Sequence, residues 1–260
     1  MAINKSAEKT LKILELIAKY PEGITLSEIY KALDMPKASV YDILQALYKE
    51  DAIYYKDPRQ KNYVIGSKVF AIGQAYTKNS NFINFASPYL RKFADKYGVT
   101  VFACKRLGDK LVFIYKYEAP NTKIQTTDVG LQQPLYENIA GRALLAFASP
   151  ERQEELLSSI LRNDFGGIKN IYYEDLLNDI ANIKEAGYGV DDGKSLSYMY
   201  SLAMPVFNHE GKASGAILFS RVKDNEDERI VEAEIKEFKD IASFVSAKQG
   251  YKGDANVSRR

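Results

Sequence analysis

The sequence predicts an α+β chain in two parts: three short helices with a β-hairpin, then a larger mixed domain built on an antiparallel sheet. Apolar residues recur at helical spacing in three stretches before residue 50. Two short strand-like runs around a polar turn follow, between residues 53 and 65. Beyond residue 98, strand-like runs joined by Gly-containing turns alternate with amphipathic helices. This second pattern favours helices packed on a sheet.

The composition is that of a globular protein. The chain has 260 residues, 46% of them hydrophobic and 27% charged, which is enough for one large or two ordinary domains. The richest apolar run, ALLAFA at 143–148, is far too short to cross a bilayer, and MAINKSAEKT lacks the apolar core of a signal peptide. A single cysteine excludes an intrachain disulfide. We therefore expect a cytoplasmic protein without membrane contact.

The sequence offers no set of catalytic or metal-binding residues. One His and one Cys cannot build a Cys/His zinc site. His209 lies in FNHEGK, which is typical of a surface turn, and Cys104 lies in TVFACKRL, an alternating strand pattern. Neither has the partners of a nucleophile–base pair. We expect no catalytic residue, no metal ligand and no cofactor.

Three helices are predicted before residue 50. The first covers about 6–19 and ends at Pro21. Thr25 followed by Glu28 is a capping-box pattern, so a second helix begins there. Pro36 suits the first position of a third helix, because its missing N–H costs nothing there. The apolar face of this third helix consists of Val40, Ile43, Leu44 and Leu47.

A hairpin follows the third helix, with strands at 53–56 and 63–65 around the turn DPRQKN. Three helices and a hairpin in about 65 residues form a winged helix-turn-helix, whose third helix enters the DNA major groove. In the wing, Lys56 and its neighbours are placed for phosphates. The candidate DNA-contacting residues are Lys37, Ala38, Ser39, Tyr41, Asp42 and Gln45 on the helix, and Arg59 and Lys61 on the wing.

The charge supports DNA binding only weakly. Residues 1–75 hold ten Lys and one Arg against five Glu and four Asp, and the whole chain carries a net charge of +2. Asp42 repels phosphate unless it accepts a hydrogen bond from a cytosine amino group. The alternative interpretation is a winged helix that contacts protein, since a fold does not fix a function.

The rest of the chain reads as a linking helix and a mixed domain. Pro88 begins or kinks a helix at 85–97, and Pro205 inside a strand pattern indicates an edge strand or a bulge. Further helices are predicted at 66–79, 139–148, 150–161, 172–190 (closed by Gly187) and 227–249. Strands are predicted at 99–118 (two strands joined by LGDK), 200–207 and 213–220. The predicted division is 1–66 for the winged helix, 67–80 for the linker helix, 81–250 for the mixed domain and 251–260 for a disordered tail.

Several stretches, in their order and spacing, carry a family resemblance. They are SAEKTLKILELIA, GITLSEIYKALDMPKASVYDILQAL, YVIGSKVFAIGQAY, LYENIAGRALLAFASPE, IKEAGYGVDD and LAMPVF. Together they resemble the IclR-type transcriptional regulators over about residues 5–249. The resemblance implies a winged helix-turn-helix joined by a linker helix to a GAF-like α/β effector-binding domain with a central antiparallel sheet. It also implies homodimers or homotetramers on pseudo-palindromic double-stranded DNA, and a small organic-acid effector.

The resemblance also implies an effector site. A helix N-terminus supplies the N–H donors and the positive dipole that a carboxylate needs, and the small residues around Gly141 let a ligand approach it. By position, the matching residues are Ile139, Ala140, Asp191, Ser201, Leu218 and Ser220. Lys194 and Tyr198 depart from the family pattern, as does Ser201 where cysteine is common. Lys194 could pair with an anion and Tyr198 could stack on a ring, which fits an aromatic or larger acid, or a pocket that has lost its ligand.

Each assignment has a structural alternative. Ala140 and Gly141 fit tight helix packing, Asp191 fits a turn cap, and Ser201 and Ser220 fit ordinary strand positions. For the whole chain, we expect a ligand-responsive DNA-binding regulator. The alternatives are a winged-helix sensor or scaffold that acts through protein contacts, and a hydrolase of a small acid. The hydrolase lacks support, because the chain has no G-x-S-x-G pattern and no paired histidines.

Overall fold

A computed structural model describes residues 5–57, 59–79, 81–122, 127–162, 173–223 and 227–253, with side chains at 76–79 and 160–162 left aside. The chain divides into two compact units, Met1–Asn79 and Ser80–Arg260. The linker helix predicted at 67–80 is therefore grouped with the first unit. The α+β class with an N-terminal helix-turn-helix is confirmed.

The first unit has the winged-helix order. Its elements are α1 (Lys5–Ala18), α2 (Leu26–Ala32), α3 (Lys37–Lys49), β1 (Ile53–Tyr55), β2 (Tyr63–Ile65) and α4 (Ser67–Asn79). Pro36 caps α3 from the position before its first helical residue, one place earlier than the sequence indicated. The buried core of the first unit consists of Ile13, Ile17, Ile24, Ile29, Val40, Leu44, Ile53 and Tyr63.

The wing forms hydrogen bonds to the turn before α2, in addition to those between its own two strands. β1 and β2 pair antiparallel from Ile53↔Ile65 to Tyr55↔Tyr63. The Tyr63 N–H donates to the Ile24 carbonyl at 2.9 Å, and the Ile24 N–H donates to the Tyr63 carbonyl at 3.1 Å. This added bridge fixes the base of the wing against the helix-turn-helix.

The start of α2 is held by the predicted capping box. The Glu28 N–H donates to the Thr25 hydroxyl, and the Thr25 N–H donates to the Glu28 carboxylate at 2.8 Å. The Thr25 N–H and, to a smaller extent, the Thr25 hydroxyl donate to the Glu28 carboxylate and lower the pKa of Glu28 below its usual value. The turn into α3 places Asp34 at φ +49°, a left-handed conformation that Asp tolerates better than most side chains.

The second unit is one antiparallel sheet between two layers of helices. Its elements are α5 (Asn81–Tyr97), β3 (Thr100–Leu107), β4 (Lys110–Glu118), β5 (Gln132–Pro134), a 3-10 turn (Leu135–Glu137), α6 (Ile139–Ala146), α7 (Pro150–Arg162), α8 (Tyr173–Ala186), β6 (Gly189–Asp192), β7 (Met199–Phe207), β8 (Ala213–Val222) and α9 (Glu228–Lys248). The strand order is β5-β4-β3-β8-β7-β6.

Alternation along the strands divides the interior into two cores. On β3, Val101 points to the core that α5 and α9 cover, whereas Phe102 points to the core that α6 and α8 cover. On β8, Phe219 and Leu218 divide in the same way. Side chains of a strand alternate between the faces of a sheet, so the central strands are buried on both sides.

The two predictions that involve prolines were each correct only in part. α5 begins at Asn81 and contains Pro88, because Phe82, Ile83 and Ala86 are buried before the proline and their packing outweighs its local cost. The bulge alternative at Pro205 is supported, because the register between β7 and β8 shifts between Val206 and Phe207, next to the proline. β7 is not an edge strand, since it lies between β8 and β6. Its pairing with β6 nevertheless ends at Ala203, so Pro205 has a strand partner only on β8.

Other differences are small. β5 and β6 were not predicted, because each has only three or four residues and no clear alternation. Within the expected tail, the Tyr251 ring stacks on Phe207 with centroids 5.0 Å apart, so this residue is packed. Residues 254–260 lie outside the described residues. None of the helices described is long and apolar enough to span a membrane.

Replacing Thr25 with Ala is expected to destabilise the first unit by about 1 kcal/mol, because it removes the hydroxyl that accepts from the Glu28 N–H. Thr25→Ser keeps that oxygen and is the matched control. Urea unfolding followed by circular dichroism measures both variants. Equal stability of the two would contradict the capping role.

Candidate functional site

The face of α3 opposite its core side is polar and open. Val40 and Leu44 are fully buried, whereas Lys37, Tyr41 and Asp42 are exposed. Ala38 is also exposed, and Ser39 and Gln45 are half-buried. Within the described chain, the polar side chains of this face make no hydrogen bond or ion pair with another residue. Their donors and acceptors are therefore available to a partner.

The wing residues divide into two kinds. Arg59 and Lys61 are exposed at the turn between β1 and β2, where Lys61 has φ +53°. The Arg59 N–H donates to the Asp57 carboxylate at 2.8 Å, which orders the turn without using the guanidinium. Lys56, in contrast, forms an ion pair with Glu22 at 2.6 Å. Lys56 is thus engaged within the unit and is a weaker phosphate candidate than its neighbours.

A cavity of about 310 Å³ lies in the second unit, on the sheet face that α6 covers. Strands β3, β4, β7 and β8 contribute walls, together with the 3-10 turn before α6 and the segment after β6. The lining residues are Phe102, Phe113, Thr127, Gln133, Glu137, Asn138, Ile139, Asp191, Ser195, Leu196, Tyr198, Met199, Ser201, Leu218 and Ser220.

Six of the nine predicted effector residues line this cavity. They are Ile139, Asp191, Tyr198, Ser201, Leu218 and Ser220. Ala140, Gly141 and Lys194 do not line it. The predicted strand residues and Tyr198 therefore line the cavity. Of the predicted residues at the start of α6, only Ile139 does so.

One backbone donor at the start of α6 is used by the protein itself. The Ala140 N–H donates to the side-chain oxygen of Asn138 at 2.9 Å, so this donor already has an acceptor. A Cβ on Gly141 would lie 2.1 Å from the Leu135 carbonyl oxygen. Glycine is needed there for close packing of α6 on the preceding turn, which was the structural alternative.

Lys194 belongs to a charge network whose members are not among the cavity-lining residues. Its ammonium lies 2.8 Å from the Asp179 carboxylate, which also accepts from the Arg142 guanidinium at 2.9 Å. Arg142 is 1% exposed, and its Nε donates to the Tyr136 carbonyl at 2.7 Å. The positive charge that the sequence assigned to a ligand therefore compensates Asp179.

Asp191 organises the segment that forms one wall of the cavity. Its carboxylate accepts from the N–H groups of Lys194 and Ser195, at 2.8 and 3.1 Å, and from the Ser195 hydroxyl. These three bonds match the turn-cap alternative. On the neighbouring strands, the hydroxyls of Ser201 and Ser220 lie 2.8 Å apart and hydrogen bond to each other.

The charges on the cavity wall are negative. Glu137 and Asp191 carry carboxyl groups, and the lining residues that the structure describes include no Lys, Arg or His. Glu137 is an exposed residue, and partial desolvation of its carboxyl raises the pKa above its usual value. This side chain makes no hydrogen bond or ion pair with a described residue, unlike Asp191.

Sequence reasoning missed nine lining residues: Phe102, Phe113, Thr127, Gln133, Glu137, Asn138, Ser195, Leu196 and Met199. Strand alternation could have found Phe102, which shares its face with the neighbouring Leu218. Glu137 and Asn138 directly precede Ile139, but a polar turn gives no periodic signal.

Cys104 and His209 occupy the structural positions that the sequence indicated. Cys104 is fully buried in β3, and burial raises the pKa of its thiol. His209 is exposed in the turn between β7 and β8. Over the residues described, no group of three or more His, Cys, Asp or Glu is arranged to hold a metal ion.

Comparison with protein families identifies both units. Residues 6–57 match the IclR helix-turn-helix domain, and residues 74–247 match the C-terminal domain of the bacterial transcriptional regulator IclR. The chain belongs to the IclR family of bacterial transcriptional regulators.

Known relatives extend along nearly the whole chain. The HTH-type transcriptional repressor AllR of Escherichia coli K12 is 28% identical over 253 residues, covering 95% of this chain and 91% of its own. The crystal structure of an IclR transcriptional regulator from Alicyclobacillus acidocaldarius has a TM-score of 0.84 at 26% identity, covering 96% of this chain and 100% of its own. An IclR homologue from Microbacterium hydrocarbonoxydans, crystallised with 4-hydroxybenzoate, shares the fold with a TM-score of 0.77 at 16% identity, covering 94% and 99%.

The charge network predicts unequal effects at its two ends. Asp179→Ala leaves the buried Arg142 without its carboxylate and is expected to cost about 3–5 kcal/mol of unfolding free energy. Lys194→Ala removes a lysine whose side chain is 63% exposed and is expected to cost less than about 1 kcal/mol. Chemical denaturation of both variants beside the wild type measures the difference. Similar costs would show that Arg142 does not depend on Asp179.

Proposed function

We propose that this chain binds double-stranded operator DNA through α3 and the wing, and that a small molecule in the cavity modulates this affinity. The observation that carries the proposal is the polar face of α3, whose side chains form no hydrogen bond or ion pair within the described chain. A helix anchored by Val40 and Leu44, with an unpartnered polar face, has the form of a recognition helix in a helix-turn-helix.

Each side chain on that face has a role that its chemistry allows. Lys37, Ser39, Tyr41 and Gln45 donate to base edges or nearby phosphates. Ala38 lets the start of the helix approach DNA closely. Asp42 accepts from a cytosine amino group and disfavours other bases at its position. Arg59 and Lys61 hold the phosphate backbone beside the wing, and their contacts supply affinity without sequence information.

Two copies of the chain are expected to act together. A pseudo-palindromic operator requires a two-fold dimer, and tetramers arise when such dimers pair. Large apolar side chains support self-association, because Leu11 on α1 and Phe70 and Ile72 on α4 are each more than 60% exposed. Such residues on a helical surface are typical of an interface.

The cavity supports the regulatory half of the proposal. Its volume is at the lower end of ordinary ligand sites, and Phe102 and Phe113 line it with aromatic surface. An IclR homologue of the same fold was crystallised with the aromatic 4-hydroxybenzoate. A ligand with an aromatic body therefore fits. The organic-acid effector stays a prediction. Among the described lining residues, Phe102 and Phe113 suit the ring of such a ligand. Glu137 and Asp191, with no described cation in the lining, do not suit its carboxylate.

Regulation then follows from a coupling free energy. The effector binds one arrangement of the dimer better than another, and DNA also prefers one of them. We assign α4 the role of transmitter, because it ends at Asn79, where the first unit meets the second in the chain. If the effector and DNA prefer the same arrangement of the dimer, the effector strengthens DNA binding. If they prefer different arrangements, the effector releases DNA.

DNA binding is tested across a salt series. We expect the protein to retain some fragments of its host's genomic DNA at a salt concentration that removes scrambled DNA, with affinity falling steeply as salt rises. Lys37→Ala is expected to weaken binding and to reduce the slope of log K against log salt by about 1, the value for one lost phosphate contact.

Lys49→Ala is the matched control, because Lys49 is also exposed but lies at the opposite end of α3. An equal effect of the two substitutions would show that the start of α3 is not the contact surface. Absence of DNA binding at low salt would remove the proposal and favour a winged helix that contacts protein.

A further inference from the structure

We propose that residues 193–198 form a movable lid at the mouth of the cavity in the second unit, and that the ion pair between Lys194 and Asp179 is the latch that holds this lid closed. The inference rests on the proposed function only in taking this cavity as the effector site. It concerns how a ligand enters and leaves, and it follows from exposure, chain geometry and ion pairing.

The lid lies where the cavity meets the solvent. Leu196 and Tyr198 both line the cavity, yet 45% and 57% of their surfaces are exposed. Lining residues on the central strands, such as Phe102 and Leu218, are buried. The cavity thus extends from a buried floor on the sheet to an exposed mouth, and the lid forms one side of that mouth.

The lid is an irregular segment between two fixed ends. It joins β6 to β7 and belongs to no helix or strand. At its first end, the Asp191 carboxylate accepts from the Lys194 N–H at 2.8 Å, and Gly193 has φ +80°, a position where glycine changes its backbone angles easily. At its other end, the Tyr198 carbonyl accepts from the Lys223 N–H at 2.8 Å. Movement of the lid is therefore confined to the residues between these two points.

One ion pair joins the lid to the helical layer. The Lys194 ammonium lies 2.8 Å from the Asp179 carboxylate on α8. Among the described residues, this is the only hydrogen bond or ion pair between the lid and a helix. The Lys194 side chain is largely exposed, and ion pairs in water are individually weak. Opening the lid therefore breaks one weak contact and leaves the fold intact.

The other half of the latch is fixed in the core. Asp179 uses its second carboxylate oxygen to accept from the Arg142 guanidinium at 2.9 Å. Arg142 is buried and also donates to the Tyr136 carbonyl. Asp179 therefore keeps a partner when Lys194 leaves, and opening does not leave a buried charge uncompensated. The latch has a rigid acceptor on α8 and a mobile donor on the lid.

A ligand in the cavity acts on the same equilibrium between open and closed lid. A bound molecule contacts Leu196 and Tyr198 only when the lid is closed, so it stabilises the closed arrangement. Opening of such segments commonly controls how fast a ligand is released. We expect the latch to control the rates of entry and release more than the shape of the site.

The test measures access to the cavity floor without any ligand. Ser201→Cys places a thiol among the lining residues of the full-length protein, and the native Cys104 is fully buried and gives the background. Iodoacetamide is small and uncharged, and its rate of reaction reports how often the lid opens. We expect slow labelling of this thiol, and labelling about two- to fivefold faster when Lys194→Met is added, as for the loss of one exposed ion pair.

Matched variants and a salt series assign the effect to the latch. Lys194→Arg keeps the charge and is expected to keep labelling slow. Lys184→Met, on the exposed surface of α8, is the control and leaves the rate unchanged. Salt weakens exposed ion pairs, so it accelerates labelling when Lys194 is present and has little effect after Lys194→Met. Loss of a nearby positive charge by itself disfavours the thiolate and slows labelling, so it does not mimic an open lid.

Hydrogen exchange gives a second measurement on the protein with its native Ser201. The N–H groups of Lys194, Ser195 and Met199 form hydrogen bonds within the lid or beside it. In Lys194→Met, the N–H groups of Ser195 and Met199 are expected to exchange faster by the same factor, whereas those of β3 keep their rates.

The inference is overturned if Lys194→Met labels and exchanges no faster than the protein that retains Lys194, or if salt accelerates labelling of both equally. DNA binding by the same preparations separates this failure from failure of the proposed function. Salt-dependent DNA binding without faster labelling would remove only the lid. Faster labelling without DNA binding would remove the regulator and keep the lid.

Discussion

The buried positive charge of Arg142 constrains several elements of the second unit at once. All eight residues of α6 are buried, so its guanidinium cannot be solvated and needs a carboxylate nearby. Asp179 on α8 supplies that carboxylate and also binds Lys194 from the segment after β6. The N–H of Lys194 then donates to Asp191, at the end of β6. One buried charge thereby connects a core helix, an outer helix and the cavity wall.

This connection explains why the cavity differs from the one that the sequence suggested. Lys194, which the sequence assigned to the ligand, is engaged by Asp179, and Asn138 caps the start of α6. What remains at the wall is acidic and aromatic. The same strands that form the hydrophobic core on their α5 face present Phe102, Ser201 and Leu218 on the other, so the sheet fixes the walls while the turn before α6 brings Glu137.

Local signals allowed most of the fold to be predicted. The capping box at Thr25 and the hairpin around the wing turn depend on neighbours in sequence, and both are present in the structure. Contacts between residues that are distant in the sequence were harder to predict. The partner of Lys194 comes from a helix whose side chains approach it only after folding, and the short strands β5 and β6 carry too few residues for a periodic pattern. The position of Pro205 required the strand order, which no local pattern contains.

The same limit applied to the cavity residues. Strand positions such as Ser201 and Ser220 were accessible through the family resemblance, whereas Glu137 lies in a turn that gives no periodic signal. Gly141 shows the opposite difficulty: its small size suggested room for a ligand, but the space is filled by the Leu135 carbonyl. Close backbone approach and ligand approach require the same residue type, so only the tertiary structure distinguishes them.

The central claim is that the cavity and the DNA-binding face are energetically coupled within one protein. The most direct measurement is the affinity for the tightest-binding small molecule with and without saturating DNA, together with the affinity for that DNA with and without the small molecule. Linkage requires both ratios to be equal, and we expect a change of about 5- to 150-fold in each. Affinities that do not change in either direction would contradict the account, because two independent sites do not make a ligand-responsive regulator.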